Sequence, residues 1–383
     1  MNIVIATDSF KGSLTSLQAG NAIQEGIKKV YKDTQITVCP IADGGEGTVE
    51  AMSYIKGSEF ITVSVQGPLD EKVDAQYVIN NGTAIIEMSS ASGITLVDKK
   101  DLNPLNTTTY GVGEIIADAI KRGCRKFIIG IGGSATNDGG TGMLKALGYK
   151  ITDKNGNDVE NGAKGLENLS NINAENVIPQ LKNCMFQIAC DVKNPLCGEN
   201  GCSVVYGPQK GATPKMIEKM DKWLFNYSQI AKTVNHKANP KAEGAGAAGG
   251  MGFAFSAFLK SELKPGIDLI IKETNLENHI KNADIVITGE GKLDGQSSMG
   301  KVPLGVAKIA KKHNKKVIAF AGWVTEDAKK LNQCGIDAFF PTLKYPCTLE
   351  EAMIPENAFN NLADTVEQTF RLLKANNLKN ARL

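Results

Sequence analysis

The chain has 383 residues, 42% hydrophobic and 22% charged, and its 43 basic residues nearly match its 41 acidic ones. That composition supports burial over more than one folding unit, and without a basic block it lacks the cation stripe that nucleic-acid binding requires. No apolar stretch approaches membrane-spanning length and the opening NIVIATDS carries no leader pattern, so a cytoplasmic protein is expected.

In chain order, IVIA at 3–6 reads as a buried strand, and Thr15 with Gln18 forms a capping box before a helix whose Ala19, Ile23, Ile27 and Val30 share one face. ITVCPI at 36–41 is the next strand and runs into ADGGEGT. VDAQYVIN and TAIIEM flank Asn81-Gly82, a two-residue hairpin signal, so the region near 60–90 is expected to be antiparallel. A helix, the strand-like KFII and a glycine-rich loop follow between Gly111 and Gly140. Late in the chain, the runs DIVITGEG, KVIAFAG and DAFFPT alternate with helical segments near 303–313 and 326–334, the pattern of a parallel sheet covered on both faces. Beyond about Lys344, Phe359, Leu362, Val366, Thr369 and Phe370 keep amphipathic helical spacing and are expected to cover the sheet.

These elements predict an α/β protein in which residues 1–58 and 280–383 form one discontinuous doubly wound domain, interrupted by an inserted mixed α/β domain over 59–279. Segment 111–142 fits either. Eight cysteines without a C-x-x-C pair and three separated histidines support neither a disulfide framework nor a zinc site, and the cysteines read as reduced, buried hydrophobes.

The 40 glycines cluster in loops beside apolar runs: DSFKGS, ADGGEGT, GIGGSATNDGG and GEGKLDGQSSMGK, with GAGAAGGMGF as a fifth. Such loops offer free N–H groups to anions. Gly130-x-Gly132-x-x-Ala135 has dinucleotide-fingerprint spacing, with Asp153 in place for a ribose, but the loop continues through Asn137, Asp138, Gly139 and Gly140 and delays the helix. Gly295-x-x-x-x-Gly300-Lys301 resembles a P-loop until Val302, which has no hydroxyl for magnesium. A tight turn explains any one glycine loop. It does not explain Lys11, Lys292, Asp43, Glu46, Asp138 and Asp294 at the loop rims, whereas phosphoryl transfer needs cations for phosphates and carboxylates for a metal and a proton.

The series DSFKGS, ADGGEGT, GIGGSATNDGG, DVKNPLCG, GPQKGATP, GAGAAGGMG and TGEGKLDGQS, in this order from Thr7 to about Pro341, resembles the bacterial type I glycerate kinase family. The resemblance implies a flavodoxin-like domain interrupted by an inserted α/β domain, with a ligand cleft between them. It also implies phosphorylation of D-glycerate by ATP with Mg2+, most often at the 2-hydroxyl. The 3-hydroxyl, a nicotinamide-dependent oxidoreductase of a small hydroxy acid, and a two-lobed anion-binding module are the alternatives, and a homo-oligomer stays open. Against the family's common pattern, Thr7 replaces a proline, and Leu102, Tyr110 and Lys292 replace arginines; Lys292 keeps the charge without the planar fork.

On that reading Lys11 and Lys292 neutralise charge, and Asp191, with Asp294 as its rival, accepts the proton of the acceptor hydroxyl. Asp43 and Glu46 hold the metal. Gly132, Gly133, Ser134, Asn137 and Asp138, with Ser9, Gly289 and Glu290, bind the nucleotide, and Asp8, Lys210 and Asn194 border the substrate. In GPQKGATP, a helix start at Thr213-Pro214 explains the last residues without a ligand.

Overall fold

The computed structural model describes residues 1–295 and 301–380, so Gly300 of the P-loop-like stretch lies outside the described residues. In chain order its strands are β1 (Asn2–Ile5), β2 (Gln35–Val38), β3 (Glu59–Gln66), β4 (Lys72–Asn80), β5 (Thr83–Glu87), β6 (Lys126–Gly130) and β7 (Lys150–Thr152). They continue with β8 (Asn171–Asn173), β9 (Met185–Ala189), β10 (Ser261–Lys264), β11 (Ile285–Leu293), β12 (Lys316–Val324) and β13 (Ala338–Pro341). Two compact units form: Met1–Asp43 with Glu50–Tyr54 and Ile267–Leu383, and Gly44–Val49 with Ile55–Gly266. Segment 111–142 falls in the second. Among the described residues no helix is long and apolar enough to cross a membrane.

The first unit is built on a five-stranded sheet in the order β13-β12-β11-β1-β2, every pair parallel. Counted within the unit, that is the flavodoxin-like order 2-1-3-4-5, whose switch point lies between β1 and β11. The capping box at Thr15 opens the helix Ser16–Lys28, and its Ala19, Ile23 and Ile27 are fully buried against Leu362, Ala363, Val366 and Phe370 of the helix Pro355–Asn380. Val30 lies past the helix end but still packs on this core.

Two strand limits differ from the sequence reading. β2 stops at Val38, not residue 41, because Pro40 has no N–H to continue the ladder; Cys39 makes the last bond to Ile5, and the Ile41 N–H goes to the Ser16 hydroxyl. β11 does not give way to a loop at GEGK; it runs on through Gly289, Glu290, Gly291 and Lys292 to Leu293, alongside Phe320 to Val324 of β12. Gly289 makes this continuation possible, since any Cβ there would strike the Phe320 carbonyl. The helix expected near 303–313 forms at Val302–Lys312, and the one near 326–334 is a 3-10 turn, Glu326–Lys329, followed by Lys330–Gln333.

The second unit holds a mixed six-stranded sheet, β10-β9-β6-β5-β4-β3, in which β5, β6, β9 and β10 are parallel and β3, β4 and β5 antiparallel. β4 and β5 are joined at Asn81 and Gly82, with φ of 47° and 75°. Both angles belong to the primed turn whose twist matches paired strands. Phe127 and Phe186 stack at 4.7 Å in its core, with Phe255 and Ile188 alongside. The delayed helix after the fingerprint begins only at Thr141, and Asp153 binds the N–H groups of Asn155 and Asn157 in a surface turn.

Gly26 tests helix packing in the first unit. A methyl there would meet the Ala363 carbonyl and Val366, and backbone cannot yield as a side-chain tip can. Gly26→Ala is expected to lose about 1–3 kcal/mol by overpacking despite a helix-propensity gain of about 1 kcal/mol, read as a lower midpoint in chemical denaturation.

Candidate active site

In the first unit, the turn after β1 carries Asp8, Ser9 and Lys11 to the carboxyl edge of the sheet at the β1/β11 switch point. The Asp8 N–H is bonded to the Gly289 carbonyl at 2.9 Å, which fixes this turn against the extension of β11. The backbone of Phe10 and Lys11 lies beside Gly291. The Asp8 side chain is 3% exposed and accepts the Ser9 N–H at 2.7 Å, with the Ser9 hydroxyl at 3.4 Å. Burial, followed by the charge of Asp43, pushes its carboxyl up to about 7; Lys11 and the Ser9 N–H oppose the rise and Glu290 adds to it. Asp8, Lys11, Asp43 and Glu290 therefore share one electrostatic neighbourhood. Lys292 lies next to Trp323 across the strand pair, its ammonium 5.4 Å from the ring centre and 3.2 Å from Asp294.

In the second unit, Gly44–Val49 lies over the carboxyl ends of the parallel strands. A Cβ on Gly130 would strike the Gly44 carbonyl, one on Gly44 would strike Ala189, and Gly132 faces Gly45. Glycines from two sequence motifs thus permit one backbone to cross another. Glu87, at the end of β5, accepts the Val49 N–H at 2.6 Å and the Ser89 hydroxyl at 3.3 Å. Its burial, with a smaller contribution from Glu46, pushes the carboxyl up to about 7 against these hydrogen bonds. Asp191, just past β9, accepts the Gly266 N–H at 3.1 Å. Glu46, Gly132, Gly133 and Asp191 are brought to this edge together.

GIGGSATNDGG divides in two. Gly132 and Gly133 are exposed, whereas Ser134 to Gly140 are buried. Asp138 is fully buried and accepts from the Thr109 N–H and hydroxyl at 2.9 and 2.8 Å, and from the N–H groups of Gly140 and Gly142 at 3.0 and 3.2 Å. Desolvation still raises its carboxyl above the usual range. Asn137 donates to the Ser203 hydroxyl at 2.8 Å. Lys210 is 1% exposed and donates to the Ser134 hydroxyl at 2.8 Å and the Thr136 carbonyl at 2.6 Å. Asn194 donates to the Asn200 carbonyl and accepts the Tyr206 hydroxyl. Asn137, Asp138, Lys210 and Asn194 thus spend side-chain groups on the protein itself. The GAGAAGGMGF glycines have a packing role: Gly249, at φ 66°, fits under the Thr136 carbonyl and Gly250 against Gly139.

Sequence reasoning passed over Glu87 and Trp323. Glu87 is signalled by an acid closing the buried run TAIIE, where a strand meets the sheet's carboxyl edge. Trp323 is 56% exposed yet follows the apolar run VIAFA, which masks it as core.

A sequence profile of the Glycerate kinase family matches residues 3–374. A protein named glycerate 2-kinase from Escherichia coli (strain K12) is 48% identical over 364 residues, 94% of this chain and 95% of that one. A glycerate kinase from Haemophilus influenzae (strain ATCC 51907 / DSM 11121 / KW20 / Rd) is 44% identical, covering 97% of this chain and 99% of its own. A crystal structure assigned as glycerate kinase 2 from Salmonella typhimurium LT2 superposes with a TM-score of 0.88 at 44% identity, over 98% of this chain and 99% of that one.

Glu87 makes stability depend on pH. Because its folded pKa of about 7 exceeds the ordinary 4.5, the folded state holds the extra proton between these values and stability falls as pH rises through that window. Glu87→Gln keeps the acceptor for Val49 and removes the charge. It should match the parent at pH 5 and exceed it at pH 8 by about 1–3 kcal/mol, measured by denaturant unfolding at the two pH values.

Proposed function

Because the chain belongs to the glycerate kinase family, we propose that it transfers the γ-phosphoryl group of ATP to the 2-hydroxyl of D-glycerate, giving 2-phospho-D-glycerate and ADP. The observation that carries this reading is the 48% identity, over 94% of the chain, to a relative named glycerate 2-kinase. The sites in each unit agree with it. Both reactants are anionic, so the reaction needs cations and oriented N–H groups to offset their repulsion, and a carboxylate for the proton released.

From the first unit, Lys11 and Lys292 act as the cations, and Ser9, Gly289 and Glu290 border the nucleotide. From the second, Gly132, Gly133 and Ser134 offer backbone amides to an oxyanion, with Asn137 and Asp138 holding that loop in shape. Asp8 and Asn194 border the hydroxy acid. Asp191, held at the carboxyl end of β9 by the Gly266 N–H, accepts its hydroxyl proton; Asp294, paired with Lys292, is the rival.

Among the described residues no three His, Cys, Asp or Glu side chains gather into a metal cage. That suits Mg2+, which binds through one or two carboxylates together with phosphate oxygens and water. Asp43 and Glu46, three residues apart, are the carboxylates proposed to hold it, and when bound it would neutralise charge on the transferring phosphoryl group.

A coupled assay should detect ADP only with D-glycerate, ATP and a divalent cation present. In proton-coupled phosphorus NMR the 2-phosphate signal is split by one carbon-bound proton, whereas a 3-phosphate would be split by two. Release of ADP without phosphoglycerate, or reduction of a nicotinamide by D-glycerate, would refute the assignment. Lys11→Met should lower kcat/KM by about 100-fold or more, and Asp191→Asn should lower kcat by about 10²–10⁴-fold; full activity of Asp191→Asn with loss in Asp294→Asn would move the base to Asp294.

A further inference from the structure

Resting on the kinase reading above, we propose that Lys210 is a positioning residue that turns Ser134 into a hydroxyl donor for an oxyanion, a phosphate or carboxylate oxygen, seated on the turn formed by Gly132, Gly133 and Ser134.

The hydrogen-bonding capacity of the two side chains fixes which of them donates. An ammonium only donates, whereas a serine hydroxyl donates once and accepts twice. The Lys210 ammonium donates to the Ser134 oxygen at 2.8 Å and to the Thr136 carbonyl at 2.6 Å. The Ser134 hydroxyl proton must therefore point away from Lys210, and no group among the described residues accepts it. The backbone points the same way. The Gly133 carbonyl accepts the Ile94 N–H at 2.8 Å, and because C=O and N–H oppose each other across a trans peptide, the Ser134 N–H faces the opposite side. Gly133, at φ 72°, makes this turn, and it is exposed together with Gly132. One residue thus presents an N–H and an O–H beside two exposed glycines, in the manner of an oxyanion site.

The charge around Lys210 also favours a bound oxyanion. Lys210 is buried at the end of the 3-10 turn Pro208–Lys210, and no carboxylate hydrogen-bonds to it among the described residues. The groups facing it are Cys202, whose thiol burial pushes up to about 12, and Asp138, whose carboxylate is committed to Thr109, Gly140 and Gly142. A buried cation without an anion is costly, and desolvation holds Lys210 down to about 8. An oxyanion bound through Ser134 supplies the missing charge. Its affinity should therefore fall as pH rises through about 8 and Lys210 deprotonates.

The test is calorimetric binding of ADP and, separately, of D-glycerate to the full-length parent, Ser134→Ala, Ser134→Thr, Lys210→Met and the Lys210→Met/Ser134→Ala double variant. The ligand whose oxyanion occupies the turn should bind about 10–100-fold more weakly to either single variant, and the double variant should be no weaker than the singles. Ser134→Thr should recover affinity, and the other ligand should be unaffected, which tells a nucleotide phosphate from the hydroxy-acid carboxylate. Parent affinity for the affected ligand should drop about tenfold between pH 7 and pH 9, with no such drop in Lys210→Met. Additive losses, equal losses for both ligands, or an unchanged pH dependence in Lys210→Met would overturn the proposal. Ser134→Ala retains the buried lysine, so unchanged binding by that variant overturns it even if Lys210→Met fails to fold. Absence of phosphoryl transfer by the parent would refute the kinase reading separately from these binding results.

Discussion

The buried carboxylate of Asp138 is the constraint around which the second unit's central loop is organised. A carboxylate out of water must be surrounded by donors or lose its charge, and Asp138 collects them from Thr109, Gly140 and Gly142. Satisfying it pulls the chain into left-handed conformations at Gly139 and Gly140, which only glycine adopts without strain. Once that half of the loop is fixed, the Gly249 carbonyl receives the Gly139 N–H and Thr107 secures the Ala135 carbonyl. Little of the loop remains for a ligand beyond its start, the exposed Gly132 and Gly133 with Ser134 beside them. A sequence rich in anion-binding signals is thus largely an internal support for a short turn.

The first unit handles charge differently. Asp43 and Glu290 add to the burial that raises the Asp8 carboxyl, and Lys11 and the Ser9 N–H oppose that rise without cancelling it. Such an arrangement costs stability and is characteristic of sites that meet an external charge. It lies at the switch point of a doubly wound sheet, where the chain leaves β1 and β11 on opposite sides and opens the edge to ligands. Extending β11 through Lys292 carries a cation beyond the body of the sheet and holds it over Trp323 and against Asp294. A lysine on a paired strand loses less freedom on binding than one on a loop.

Much of this is legible in the sequence alone. Apolar runs gave the strands of the first sheet and β4, β5 and β6 of the second, Asn81-Gly82 gave the hairpin, Thr15 and Gln18 gave the first helix start, and Thr213-Pro214 gave another. These features depend on neighbours within a few residues, where propensity, capping and turn geometry act. The extent of β11 was hidden because GEGK looks like a loop until Phe320 to Val324 pair with it. Glu87 was hidden because its partner, the Val49 N–H, is 38 residues away.

The sequence by itself determined the α/β class, the parallel strands of the first sheet, the hairpin at 81–82 and the family, because periodicity, turn residues and motif order are read along the chain. Only the tertiary structure decided which loop residues are exposed and which are buried. It separated the exposed glycines at 132 and 133 from the buried Asn137, Asp138 and Lys210, and it raised the Asp8 and Glu87 carboxyls to about 7. Burial and long-range partners set desolvation and hydrogen bonding, and these arise from strands distant in sequence converging at one sheet edge.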